Sequence, residues 1–136
     1  MCLALGWAPL HEVGLENGRR ADILALRPDG LFVCIEVKSD ARDFLADRKW
    51  HHYRDYADAL YFAVDADFPQ ELLPGDAGLI VAEEGAVVLR EAPEHRLTAA
   101  RRTALLRRFA RLSALRLAGW EDPAGMVELQ AALRSE

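Results

Sequence analysis

Cysteine is scarce in this chain of 136 residues: Cys2 and Cys34 are the only two, too few to staple a fold. Nor do they have the close paired spacing of a metal knuckle, so two reduced thiols in a cytosolic protein are the expectation. No apolar run reaches the roughly 18–20 residues that a bilayer span requires, and no membrane partner is expected. The first residues, M-C-L-A-L-G, lack the basic start and longer apolar segment of a signal peptide. Internal repeats and low-complexity tracts are missing as well. Gly and Pro stand at ordinary levels, which excludes collagen-like and largely disordered chains. What remains is 51% hydrophobic, enough for one compact domain with a sizeable core.

Acid is missing from one long stretch. Between Arg96 and Leu117 there are seven arginines (96, 101, 102, 107, 108, 111 and 116) and no Asp or Glu. Those seven positive charges leave −12 on the remainder of a chain whose net charge is −5. A local basic surface matters more for phosphate contact than the total. An ordinary solvated helix face is the plain alternative.

The pattern predicts strands over residues 9–15, 20–26, 31–38, 59–64, 79–82 and 86–89. Asn17–Gly18 and Pro28-Asp29-Gly30 are hairpin and turn signals between the first three. Ala59 to Val64 is continuously apolar, as in a strand buried on both faces. Ser39 and Asp40 are good caps for a helix expected to reach about Ala57, with Ala46, Trp50, Tyr53 and Ala57 as its buried stripe. A long helix is expected from Thr98 to about Ala118. The order is a helix end, three strands, a helix, a strand, a loop, two strands and a helix, an α/β arrangement.

Three charged residues stand out against this frame. Asp22 opens one strand of a hairpin, while Glu36 and Lys38 close the next. Alternation puts Glu36 and Lys38 on the face of Phe32 and Cys34, so the pair lies at the rim of an apolar surface. Two carboxylates and an ammonium at such a rim suit a divalent metal and a water beside a phosphate. Glu12, on the first strand, is a further acid that could stand near them. An exposed salt-bridge cluster is the alternative.

A D-x(13)-E-x-K spacing across a hairpin, followed by a capped helix, resembles the PD-(D/E)XK nuclease superfamily, whose core runs α–β–β–β–α–β. Further segments narrow the resemblance. They are G-R-R-A-D at Gly18–Asp22, E-V-K-S at Glu36–Ser39, D-F-L-A-D-R-K-W-H-H-Y at Asp43–Tyr53 and Y-F-A-V at Tyr61–Val64. F-P-Q-E-L-L-P at Phe68–Pro74, G-L-I-V-A at Gly78–Ala82 and L-R-E-A-P-E-H at Leu89–His95 follow. Together these look like the MmcB family of bacterial DNA repair proteins, over roughly Gly6 to Leu117.

The resemblance implies a restriction-endonuclease-like three-layer α/β/α core with a mixed central sheet. Residues 1–118 would form the nuclease-like domain, its N-terminal helix largely missing, and 119–136 a tail or short helix. Asp22, Glu36 and the carbonyl of Val37 would hold Mg²⁺, or Mn²⁺ in its place, and Lys38 would be the catalytic lysine. The implied function is a Mg²⁺-dependent DNA endonuclease in DNA repair, cytoplasmic and at the nucleoid when acting. DNA is the implied partner, with a homodimer and other DNA repair proteins as further expectations. The alternative is a non-catalytic DNA-binding or repair-scaffold protein that keeps the fold.

Overall fold

A computed structural model of the chain describes residues 1–135, so Glu136, the last residue of the expected tail, lies outside the described residues. The chain divides into two units, Met1–Thr98 and the residues from Ala99 onward.

The first unit is built on one mixed sheet of six strands in sequential order. They are β1 (Ala8–Gly14), β2 (Arg20–Leu26), β3 (Phe32–Val37), β4 (Ala59–Val64), β5 (Gly78–Ala82) and β6 (Ala86–Arg90). β1, β2 and β3 form an antiparallel meander, because short turns join them. Gly18 and Gly30 take φ of 80° and 85° there, a left-handed conformation that glycine adopts without strain. β3, β4 and β5 run parallel, and β6 returns antiparallel to β5. All six residues of β4 are buried, which explains its unbroken apolar sequence.

Both faces of the sheet carry a core. On one, Ile23, Ile35, Tyr61 and Ile80 pack with Cys2 and Trp7 of the N-terminal segment, and the Trp7 and Tyr61 rings lie 5.5 Å apart. On the other, Phe44, Phe62, Phe68, Leu73 and Leu79 cluster, with the Phe44 ring edge-on to Phe62. Gly78 is glycine for a packing reason, since a Cβ there would overlap the Tyr61 ring.

The helix expected to reach Ala57 is broken. Helix α1 covers only Ala41–Ala46, and a 3₁₀ segment follows over Trp50–Tyr56. The reason is Asp47, whose Oδ1 accepts the Lys49 N–H at 3.0 Å and so replaces the next helical bond with a side-chain one. Ala46, placed in the buried stripe by helical spacing, is exposed, whereas Phe44 and Tyr53 are buried. The start of α1 follows the sequence closely: Asp40 accepts the Asp43 N–H at 2.8 Å, and Asp43 accepts the Ser39 N–H at 3.0 Å.

The second unit is a helical hairpin of α2 (Ala99–Glu121) and α3 (Pro123–Arg134). Asp122 caps α3 through the Gly125 N–H at 3.0 Å, with Pro123 at the first helical position. No helix among the described residues is long and apolar enough to cross a membrane.

One buried acid ties the end of the first unit to its sheet. Asp58 is fully buried, and its carboxylate accepts the N–H of Phe32 at 2.7 Å and of Leu97 at 2.9 Å. Asp58→Ala strands two backbone donors and is expected to cost roughly 3 kcal/mol of stability. Urea unfolding measures it, and a loss below about 1 kcal/mol is incompatible with this role.

Candidate metal and catalytic site

Register brings the acids of β2 and β3 together. Ile23 pairs with Ile35 and Leu24 with Cys34, so the same ladder continued by one step sets Asp22 opposite Glu36. Backbone hydrogen bonds lock the two side chains in place. The Asp22 N–H donates to Glu36 Oε1 at 3.2 Å, and the Val37 N–H donates to Asp22 Oδ2 at 2.9 Å. Asp22, Glu36 and Val37 are thus held as one group. Val37 sits at the end of β3, opposite Ala63 of β4, and is 47% exposed.

Glu36 lies deeper than a rim position, at 3% exposure. Burial first, and the neighbouring Asp22 charge second, raise its carboxyl from 4.5 to about 8. The Cys34 thiol, 3.7 Å from Glu36 Oε1, is pushed well above its ordinary value by burial and then by Glu36. The cluster is therefore short of positive charge.

Lys38 does not supply that charge. Its side chain is also buried, at 6% exposure, and its Nζ lies 2.7 Å from Asp47 Oδ2. Among the groups acting on Glu36, Lys38 is the weakest. Burial alone would raise the Asp47 carboxyl, but the Lys38 hydrogen bond and then the Lys49 N–H leave it lowered overall. A buried ammonium without a partner is costly, so Asp47 is what allows Lys38 to stand here. Its only trace in the sequence is an acid nine residues after Lys38, hidden among the charges of what reads as one continuous helix.

Tyr53 is a second residue whose part the sequence conceals. Its ring is core, as the spacing predicts, but its hydroxyl donates to the Arg20 carbonyl at 2.9 Å, two residues before Asp22. Burial and then the Glu36 charge push that hydroxyl up to about 12, so it stays a donor.

Glu12 does not join the group. The β1–β2 ladder pairs His11 with Ile23 and Val13 with Ala21, skipping Glu12, whose φ is 55°. That conformation is strained for a residue with a Cβ, and the Glu12 carboxylate turns to Arg20 at 3.1 Å in a largely exposed pair. Among the described residues no three His, Cys, Asp or Glu side chains converge as a metal site.

Two carboxylates remain, and they could hold a hard divalent ion. Hard oxygens suit Mg²⁺ or Mn²⁺, and Mg²⁺ in particular retains several waters and needs only one or two carboxylates. The mutual repulsion that raises Glu36 is what a cation between Asp22 and Glu36 would relieve.

Metal-free protein should show this repulsion as a pH-dependent stability. The folded state holds the Glu36 proton more tightly than the unfolded chain, so the stability is full below about 4.5 and is lost as pH rises towards about 8. The loss should be a few kcal/mol, because each pH unit crossed between those two values removes about 1.4 kcal/mol. Glu36→Gln should flatten the profile, and millimolar Mg²⁺ should do the same for the unaltered protein. Thermal unfolding between pH 4 and 9 measures it; equal slopes in the two proteins would contradict the assignment.

Comparison with known proteins identifies the family and not the chemistry. The family model described as DNA repair protein MmcB-like matches residues 1–124. A solved structure, the SPO1766 protein of unknown function from Silicibacter pomeroyi, is 42% identical, with a TM-score of 0.84 over 90% of this chain and 85% of that one. No curated protein matches.

Proposed function

The chain belongs to the MmcB-like DNA repair family, and from that premise we propose that it is a Mg²⁺-dependent DNA endonuclease. In this reading the sheet and the packing on both its faces are a restriction-endonuclease-like three-layer core of the PD-(D/E)XK type. The observation that carries the proposal is the buried Glu36 held against Asp22, two residues before a buried lysine. A fold gains nothing in stability from two neighbouring carboxyl groups withdrawn from water, so the pair points to a ligand.

Each residue then has a task. Asp22 and Glu36, with the Val37 carbonyl, would hold the ion, which when bound would supply a more acidic water and neutralise phosphate oxygens. The Asp22 and Val37 N–H groups fix the two carboxylates relative to one another, and Tyr53 anchors the Arg20 carbonyl at the start of β2. Lys38, already paired with Asp47, is an ammonium and acts as a hydrogen-bond donor to the attacking water and to the charge growing on the phosphoryl oxygens. The water oxygen bonds to phosphorus as one of its protons passes to solvent, and one phosphorus–oxygen ester bond breaks, its leaving oxygen taking a proton from solvent. Asp47 keeps the ammonium directed.

Incubation of supercoiled plasmid and branched DNA with Mg²⁺ or Mn²⁺ tests the proposal. Nicking is expected to need the ion and to fall roughly a hundredfold or more in Asp22→Ala and in Lys38→Ala. Nicking that survives both substitutions comes from a contaminant and removes the proposal. DNA binding with no cutting, equal in all three proteins, would establish the non-catalytic scaffold instead.

A further inference from the structure

Helix α2 carries a feature that the site above does not use. Arg101, Arg107, Arg108 and Arg111 are all exposed. At about 100° per residue they fall within one sector of roughly 120°. From Arg101 to Arg111 the stripe is about 15 Å long at 1.5 Å per residue. Arg107, Arg108 and Arg111 have no ion pair or hydrogen-bond partner among the described residues.

Helix stability does not account for the stripe. No acid stands three or four residues from Arg107, Arg108 or Arg111, so none of the usual stabilising pairs is available. Arg107 and Arg111 are instead a like-charge i,i+4 pair, which is destabilising. Arg101 sits in the first turn, where the helix dipole disfavours a cation. The first turn has no acid at all. An ordinary solvated face would intersperse both signs. This one concentrates positive charge at a cost to its own helix, and an anionic partner recovers that cost.

The neighbours of the arginines narrow the partner. Ala100, Ala104, Ala118 and Gly119 share the sector, leaving the guanidinium groups standing above small side chains. Leu115 is its one large apolar residue, whereas a face that lies in a bilayer presents several. A polyanion with charges spaced along a line fits better than a lipid surface.

We propose that the Arg101–Arg108–Arg111 stripe with Arg107 is a sequence-independent clamp for the phosphates of a DNA backbone. It rests on the reading of the protein as DNA-acting, and it adds where the substrate is gripped and that base sequence is not read there. Contacts of this kind are electrostatic, and each phosphate neutralised contributes a slope of about −0.9 to log K against log salt on duplex DNA, or about −0.7 on a single strand.

The test uses the full chain and fluorescent oligonucleotides of two unrelated sequences, with binding measured from 50 to 300 mM NaCl. Arg107→Gln/Arg108→Gln/Arg111→Gln keeps good helix formers at exposed positions, so circular dichroism should be unchanged. Its affinity should fall roughly a hundredfold at 0.1 M salt, equally for both sequences, and its salt slope should be shallower by about 2.7 on duplex. The corresponding triple lysine variant should retain most of both, since charge carries the contact. Unchanged affinity and slope in the glutamine variant, with the unaltered protein binding DNA, overturn the clamp and leave the nuclease reading intact. Failure of the unaltered protein to bind DNA at 50 mM salt overturns both. If the substitutions instead abolish binding to vesicles of 30% phosphatidylserine and leave DNA binding alone, the partner is a membrane and the clamp is overturned.

Discussion

Two carboxylates held against each other out of bulk water are the constraint on which the first unit turns. Asp22 and Glu36 are adjacent because β2 and β3 are joined by a short turn whose register leaves no other pairing. They stay adjacent because each accepts a backbone N–H from the other's neighbourhood. Repulsion is thereby built into the fold, and Glu36 yields to it by holding its proton up to about 8. A cation bound there would relieve the same excess of negative charge that the proton relieves.

Lys38 lies two residues from Glu36 yet spends its charge elsewhere. The chain accommodates it by ending α1 at Ala46 and turning Asp47 inward, so that one carboxylate both stops the helix and receives the ammonium. This division keeps the acid pair and the ion pair electrically distinct within a few residues. Were Lys38 to neutralise Glu36 directly, the two carboxylates would have little need of an ion. Asp47 therefore belongs to the logic of the site although no sequence motif announces it.

Much of the frame is legible in the residues themselves. The turn chemistry at Asn17–Gly18 and Pro28–Gly30 and the unbroken apolar run of β4 each have a single physical reading, and the strands lie where those signals put them. Asp22, Glu36 and Lys38 stand out because a period of two relates Glu36 to Lys38 and a hairpin relates both to Asp22. The break after α1 is not legible, because helical spacing through Trp50 and Tyr53 is satisfied almost as well by a 3₁₀ segment, and the competing bond from Asp47 is local side-chain chemistry. Glu12 shows the same limit: alternation puts it opposite Asp22, and one left-handed φ sends its carboxylate to Arg20.

Charge is distributed along the chain in a way that makes the two proposed contacts with DNA complementary. Up to Thr98 there are ten basic residues against eighteen acidic, and after it seven against four. A polyanion approaching the first unit alone meets net repulsion, and the acid pair sharpens it. A divalent ion held by the acid pair would remove that repulsion only locally, over the reach of a phosphate or two. Affinity for the rest of the backbone has to come from cations that are not already committed to acids. In the first unit four of the ten, Lys38, Arg20, Arg27 and Arg54, are paired with a carboxylate. Three arginines of α2 are not. On the proposed reading, an acid pair that would act through a bound ion and a charge-rich helix are two answers to one problem, the binding of phosphate by a chain that is acidic overall.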